Sequence, residues 1–239
     1  MRNLLVKDVY HNDHQYNSKV EFNKHKVHRV SVQPNMIRNM RTNWKSIDDY
    51  LSNLKKKYRD RYKRARKKLG AIKCVELDLK TIEINTKNLH SLYFNVCNNA
   101  KFNSFVLPEN HFYIMKVNLG GDFKVFGYYL DNKLVGFYSL ILNNKQLETY
   151  FLGYDSEHQY ANQLYLNMLY DMLKSGIEIQ FSQIVYARTA MAIKSSVGAK
   201  PYAMEMYMKH TNGILNTILK PIFKLMNPKQ DWEERHPFK

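Results

Sequence analysis

Arg188, Lys194 and Lys200 stand among small residues in YARTAMAIKSSVGAKP (186–201). Small side chains let a backbone approach a ligand closely, and the cations suit a carboxylate or phosphate, which Arg grips with two parallel hydrogen bonds. The plainer role is a short connecting helix with surface cations. A second stretch, KKKYRDRYKRARKK (55–68), sets ten Lys or Arg against one Asp. Like charges one helical turn apart repel, so this density asks for a counter-charge from outside: a phosphate backbone, an anionic lipid surface or a phosphorylated ligand. A solvated outer face is the plainer reading. A third stretch, GYDSEHQYANQLYLNMLYDMLK (153–174), reads as a strand end, a polar loop and a helix start. Backbone N–H groups at a helix start favour an anion such as a cofactor pyrophosphate, although core packing explains the same helix face. HNDH (11–14) and HKVH (25–28) space their His residues three apart. On a strand such pairs point to opposite faces, so they read as polar surface, and no metal is expected.

The chain has 239 residues and a formal charge of +16, which points to acidic company. Its 44% apolar content suffices for a core. No GxxxxGK[ST] loop, GxGxxG turn, GxSxG elbow or HExxH helix occurs, so kinase, dehydrogenase, serine hydrolase and zincin readings lose support. Cys74 and Cys97 lack CxxC spacing and read as reduced thiols of a cytoplasmic protein. MRNLLVKDVYHND has no secretory pattern, and no apolar run reaches about eighteen residues, so no membrane-spanning helix is expected.

The elements that must hold these groups have local signals. VHRVSVQ (27–33) alternates and predicts a strand ended by Pro34. Ser46 and Asp49 form a capping pair ahead of Ile47, Leu51, Leu54, Tyr58, Tyr62, Ala65 and Leu69, one continuous stripe along a helix stopped at Gly70. KCVEL (73–77) is a strand, 88–100 a helix, and 107–120 holds a short helix. FKVFGYYL (123–130) and LVGFYSLILN (134–143) form a hairpin about Asp131-Asn132-Lys133, and LETYFLGYD (147–155) extends it to a meander. A helix over 158–174 ends at Gly176. IEIQFSQ (177–183) reads as a strand beside LETYFLG, 187–198 as a short helix, and 202–210 as a last strand. GILNTILKPIFKLMNPK (213–229) is an amphipathic helix, kinked or restarted at Pro221. It packs on the body or, in a second reading, lies in an anionic membrane interface. This order predicts a mixed α/β (α+β) layered domain.

Three stretches together are similar to one superfamily. SIDDYLSNLKKKYRDRYKRARKKLG (46–70) resembles the basic helix of GNAT-like acyltransferases related to the Fem peptidoglycan-bridge transferases. GYYLDNKLVGFYSLILNNKQLETYFLGYD (127–155) looks like the central GNAT meander, and YARTAMAIKSSVGAKP is similar to a GRTA-x-x-x-K-x-x-x-GA-x-P stretch of a bacterial subgroup. The order matches over about residues 46–210. The resemblance implies a GNAT fold, a central mixed and mostly antiparallel sheet flanked by helices. Residues 1–45 become a short N-terminal extension with a strand, 46–210 the acyltransferase-like domain led by the basic helix, and 211–239 an amphipathic tail. It further implies an acyl-CoA or acetyl-CoA donor, or aminoacyl-tRNA in the Fem branch, and transfer to an amine or hydroxyl in cell-envelope or lipid-precursor chemistry. Arg188, Thr189, Lys194, Gly198 and Ala199 match the motif and are the implied donor-binding residues, joined by Tyr154 and Tyr165. One departure stands out: YDSEHQYANQ (154–163) replaces the glycine-rich pyrophosphate loop of ordinary members.

Acyl transfer of this kind needs a base, a donor for the developing oxyanion, and an acid for the leaving thiolate or ribose oxygen. Glu148 is the candidate base, and alternation puts it on the face of Tyr150; an exposed strand residue is its plainer role. Tyr150 and Tyr165 are candidate leaving-group acids, and core packing is the plainer role for both. Arg188 and Lys194 would hold anions. The expectation is a cytoplasmic transferase, peripheral to the inner face of the membrane if its acceptor lies there. The competing expectation is a non-enzymatic nucleic-acid-binding module using helix 46–69. Tyr58 and Tyr62 within that run lie on its apolar stripe, which leaves base stacking poorly served.

Overall fold

The computed structural model describes residues 3–10, 25–98, 105–226 and 231–239; the HNDH pair lies outside them. The strands are β1 (Asn3–Tyr10), β2 (His28–Asn39), β3 (Lys73–Leu77), β4 (Phe123–Leu130), β5 (Lys133–Asn143), β6 (Gln146–Tyr154), β7 (Gln183–Val185) and β8 (Lys200–His210). The helices are α1 (Ile47–Asn53), α2 (Lys56–Leu69), α3 (Leu79–Ile84), α4 (Thr86–Asn98), α5 (His111–Leu119), α6 (Ser156–Ala161), α7 (Leu164–Glu178), α8 (Met191–Ser196) and α9 (Gly213–Met226). The strands form one sheet in the order β1-β8-β2-β7-β6-β5-β4-β3. Every neighbouring pair is antiparallel except β6 and β7. Both strands from the first 45 residues belong to this sheet, and β2 lies between β8 and β7.

One core layer joins the sheet to α1, α2, α7 and α8 through Tyr50, Leu54, Ala65, Leu169, Leu173, Ile184 and Val197. A second, on the opposite face, packs α3, α4 and α5 on β3, β4 and β5 through Ile82, Leu89, Phe112, Phe123 and Phe137. No helix among the described residues is long and apolar enough to cross a membrane.

The hairpin forms as expected, with Asp131 and Asn132 both at positive φ (47° and 65°), the conformation a two-residue turn requires. The Ser46–Asp49 capping box is present, and Gly70 ends α2 at φ 65°. Four expectations are corrected. Pro34 does not end its strand: Gln33 and Pro34 together oppose one residue of β8 between the Val32–Met204 and Asn35–Tyr202 pairs, so the missing N–H falls in a bulge. The stripe over 47–69 is divided between two helices. Leu54 is extended (ψ 149°) and bridges Phe238, while Lys55 N donates to Pro237 O at 2.8 Å. The helix expected over 158–174 is also two, α6 and α7, separated at Gln163, whose backbone is left-handed (φ 48°). Finally, residues 177 and 178 belong to α7 rather than to a strand, and Gly176 lies inside that helix. A Cβ there would sit 2.6 Å from Ile184 Cδ1, so glycine lets α7 approach β7.

Candidate active site

β6 and β7 pair over three residues only, Gln146–Glu148 against Gln183–Val185. β2 flanks β7 on its other side and stays with the chain beyond Val185: Tyr186 N donates to Met36 O (2.8 Å) and Met36 N to Ala187 O (3.1 Å). β6 continues to Tyr154 with β5 on its other side. A wedge therefore opens between Thr149–Tyr154 and Tyr186–Arg188, with its apex at Glu148 and Val185. The stretch 177–183, read from the sequence as the strand beside LETYFLG, supplies only Gln183 to that pairing, and the second arm of the wedge lies at 186–188. Inside a sheet, such an edge offers backbone donors and acceptors to an extended ligand.

The first arm carries a bulge. Tyr150 and Phe151 together oppose Ser139. The buried Ser139 hydroxyl closes the gap, donating to Phe151 O (2.7 Å) and accepting from Phe151 N (3.1 Å). The extra residue turns Tyr150 and Phe151 both to the α4–α5 side and sends Leu152 and Tyr154 to the α7 side. There Tyr150 meets His111 at the start of α5. The phenol and Nε2 are hydrogen-bonded at 3.1 Å, and the rings stack at 26° with centroids 5.8 Å apart. Desolvation lowers the His111 pKa and raises that of Tyr150, so both are neutral near pH 7. His111 was missed in the sequence, where nothing but its place at a helix start marks it. Glu148 sits at the apex, beside Ile141 on the same face as Tyr150, and accepts from Asn143 Nδ2 at 2.8 Å.

The second arm is a strained turn. Ala187, Thr189 and Ala190 have φ of 56°, 69° and 47°, a region that side chains with a Cβ enter at a cost. Lys194 holds it: Nζ donates to Arg188 O (2.7 Å) and Ala187 O (3.3 Å). That side chain is buried, and desolvation lowers its pKa to about 7. Lys194 thus braces the turn that presents the half-buried Arg188 and the exposed Thr189. Gly198 and Ala199 lie elsewhere. Gly198 (φ 92°) packs under Phe238, whose ring a Cβ would meet at 2.4 Å, and Ala199 is buried with its N–H on Lys194 O (3.2 Å). Tyr154 and Tyr165 approach each other at the wide end, 6.4 Å between centroids, and burial raises the pKa of both.

The loop after β6 is acidic and already occupied. Asp155 caps α6 by accepting from Glu157 N (3.2 Å), Gln159 Oε1 takes Tyr165 N (3.1 Å), and Asn162 Nδ2 donates to Lys68 O (2.9 Å). Asp155, Glu157 and His158 also bring one ligand atom each within 4.8 Å of one another, but Asp155 is engaged with the Glu157 amide and His158 with Asn162 (2.9 Å). Beside this loop lies the end of α2. Arg66 pairs with Asp171 (2.6 Å), Asn167 Nδ2 donates to Ala65 O (2.9 Å), and Tyr62 meets Tyr170 edge-on at 4.8 Å. This docking leaves Lys55, Lys56, Lys57, Lys63, Arg64, Lys67 and Lys68 exposed. Lys68, whose carbonyl holds Asn162, brings that ridge to the wide end of the wedge.

No family model matches this chain, and no curated protein matches it in sequence. Solved structures do. FemX aligns over 92% of this chain and 74% of its own at a TM-score of 0.65 and 12% identity. A C-terminal domain from Agrobacterium fabrum, assigned to a lysylphosphatidylglycerol synthetase, aligns over 93% and 70% at 0.60 and 8%. A tandem GNAT protein from the clavulanic acid biosynthesis pathway aligns over 88% and 65% at 0.51 and 13%. The splayed parallel pair, the bulged strand and these alignments together give the chain a GNAT-like fold, with a Fem protein among its structural relatives.

Proposed function

We propose that this protein transfers an acyl or aminoacyl group to an amine or hydroxyl, with the wedge between β6 and β7 as its site. The observation that carries the reading is the His111–Tyr150 pair on the bulged arm of that wedge. The acceptor nitrogen attacks the acyl carbonyl. Its proton passes to the Tyr150 oxygen while the phenol proton passes to His111 Nε2, and the pair then returns a proton through the Tyr150 hydroxyl to the leaving oxygen or sulfur as the bond from that atom to the acyl carbon breaks. Backbone N–H groups on the open edge of β6 face the developing oxyanion. Arg188 and Thr189, held by Lys194, contact the donor across the wedge, with Tyr154 and Tyr165 at its wide end. Glu148 at the apex is the alternate proton acceptor.

The donor best supported is aminoacyl-tRNA, with acyl-CoA as the second reading. Asp155 and Glu157 oppose a pyrophosphate where CoA would need one, and Gln159 takes a helix-start amide that would bind it. The exposed cations of α2 beside that loop suit a nucleic-acid backbone instead.

Two experiments test this. Aminoacyl-tRNA is expected to raise Tm and support turnover with an affinity that falls steeply with salt, and Arg188→Ala to abolish the shift. Acetyl-CoA is expected to do neither, and turnover with acetyl-CoA would overturn the choice of donor. Binding of RNA without turnover by any donor would favour the non-enzymatic alternative. For the pair, His111→Ala is expected to lower kcat by roughly 100-fold at unchanged Tm. In the parent, the acid limb of the kcat profile should lie below the ordinary histidine pKa, because burial favours the neutral ring. A rate lost with Glu148→Gln but kept with His111→Ala assigns the base to the carboxylate instead.

A further inference from the structure

Helix α9 is mounted with a polar residue inward. Asn216 is buried; its Nδ2 donates to Lys26 O (2.9 Å) and its Oδ1 accepts from His210 N (2.8 Å). The His28 ring donates from Nε2 to Asn216 O (2.7 Å), and Asn212 Oδ1 caps the helix start at Ile214 N (3.0 Å) and Leu215 N (3.2 Å). These bonds fix the rotation of the helix about its axis. The same rotation turns Ile214, Leu215, Ile218 and Ile222 outward, Ile214 at 78% exposure and the others at 43–44%. Residues 214, 218 and 222 fall one turn apart, so the outward face is a continuous aliphatic line. Leu5 extends it: Leu5 pairs with Met208, and Met208 pairs with His28, so this row faces the side of the sheet that α9 covers. Leu5 is 46% exposed.

We infer that this face docks on an anionic lipid bilayer, α9 lying in the interface with Ile214, Ile218 and Ile222 among the acyl chains. Charge selects this occupant over a second copy of the chain. Residues 213–229 contain three Lys and no acid, and the whole chain carries +16, so two copies repel while an anionic surface attracts. A face that is aliphatic, free of acid and part of a strongly basic protein has the composition of an interfacial helix. The inference stands apart from the transfer reading: it predicts where the protein sits, whatever the wedge does.

The test is flotation of the full chain with phosphatidylcholine vesicles and with phosphatidylcholine–phosphatidylglycerol vesicles at about three to one. The parent is expected to float with the anionic vesicles and not with the neutral ones. Ile214→Ser/Ile218→Ser, which keeps every charge, is expected to lose roughly tenfold in vesicle affinity at unchanged Tm. Ile214→Trp is expected to bind more tightly, because Trp favours the interface. Equal binding by parent and double variant would make the attraction purely electrostatic and overturn the assignment of this face. A parent dimer in light scattering that the double variant converts to monomer would give the face to a second copy and overturn it as well.

Discussion

Gly153→Ala is expected to destabilise the protein by about 3 kcal/mol, roughly 6–12 °C in Tm for a chain of this size. Gly153 is buried in β6 directly beneath α4. A Cβ at this position would lie 2.3 Å from the Leu92 carbonyl carbon and 2.4 Å from Tyr93 N. Both are helix backbone atoms, which cannot rotate aside as a side chain can. Either α4 lifts from the sheet or β6 moves, and β6 from Thr149 to Tyr154 is the first arm of the wedge. Loss of stability should therefore come with weaker donor binding. Thermal denaturation checks the first effect and a donor titration the second. Gly213→Ala is the control: nothing lies within 4 Å of a Cβ there, so Tm should hold or rise slightly. An unchanged Tm for Gly153→Ala would mean that α4 does not approach β6 this closely.

Phe238→Ala should cost about 3 kcal/mol and loosen a region far from it in sequence. The ring lies against Gly198, between Trp44 and Tyr50 (centroids 5.9 Å from each), with the Arg38 guanidinium carbon 4.2 Å from its centre. Arg38 also stacks on Trp44 at 4.7 Å. This sandwich matters because Arg38 is buried, its Nε and Nη2 reach no hydrogen-bond acceptor, and desolvation lowers its pKa to about 10. Nη1 makes one long hydrogen bond, to Gly198 O at 3.4 Å, and the two rings add the attraction that Nε and Nη2 lack. Around the ring, Lys239 N donates to Asn53 O (3.1 Å) and Arg235 N to Ser195 Oγ (3.0 Å), so residues 235–239 tie α1 to α8. With the ring removed, hydrogen exchange across 191–199 should quicken, while β4 and β5 stay protected. Phe238→Leu should retain part of the stability, and Gly198→Ala should reproduce the loss from the opposite side. Unchanged exchange in α8 would mean that the tail does not brace it.

These substitutions also separate two roles in the 186–201 motif. Arg188 and Thr189 stand on the wedge, and Lys194 holds the turn beneath them. Gly198, which the resemblance groups with them as donor-binding, has its missing Cβ matched to Phe238. Its need for glycine is explained by a positive φ and a ring, both internal to the fold.

The sequence by itself determined what nearest neighbours along the chain control. The Asp131–Asn132 turn, the Ser46–Asp49 cap, the stop at Gly70 and the outward cations of α2 depend on turn and helix periodicity over a few residues, and they form as read. The tertiary structure decided whatever needs a distant partner. Leu54 leaves its helix to bridge Phe238, Pro34 stays in a strand because β8 tolerates a bulge, and IEIQFSQ obeys the packing of α7 rather than its own alternation. The site belongs to this second kind. Its wedge exists because the chain after β7 keeps β2 as its neighbour and loses β6, and its far half is faced as it is because one extra residue in β6 turns Phe151 to the side of Tyr150 and sends Leu152 and Tyr154 to the opposite face. A period-two reading cannot foresee that turn, since the bulge is set by Ser139 on the neighbouring strand.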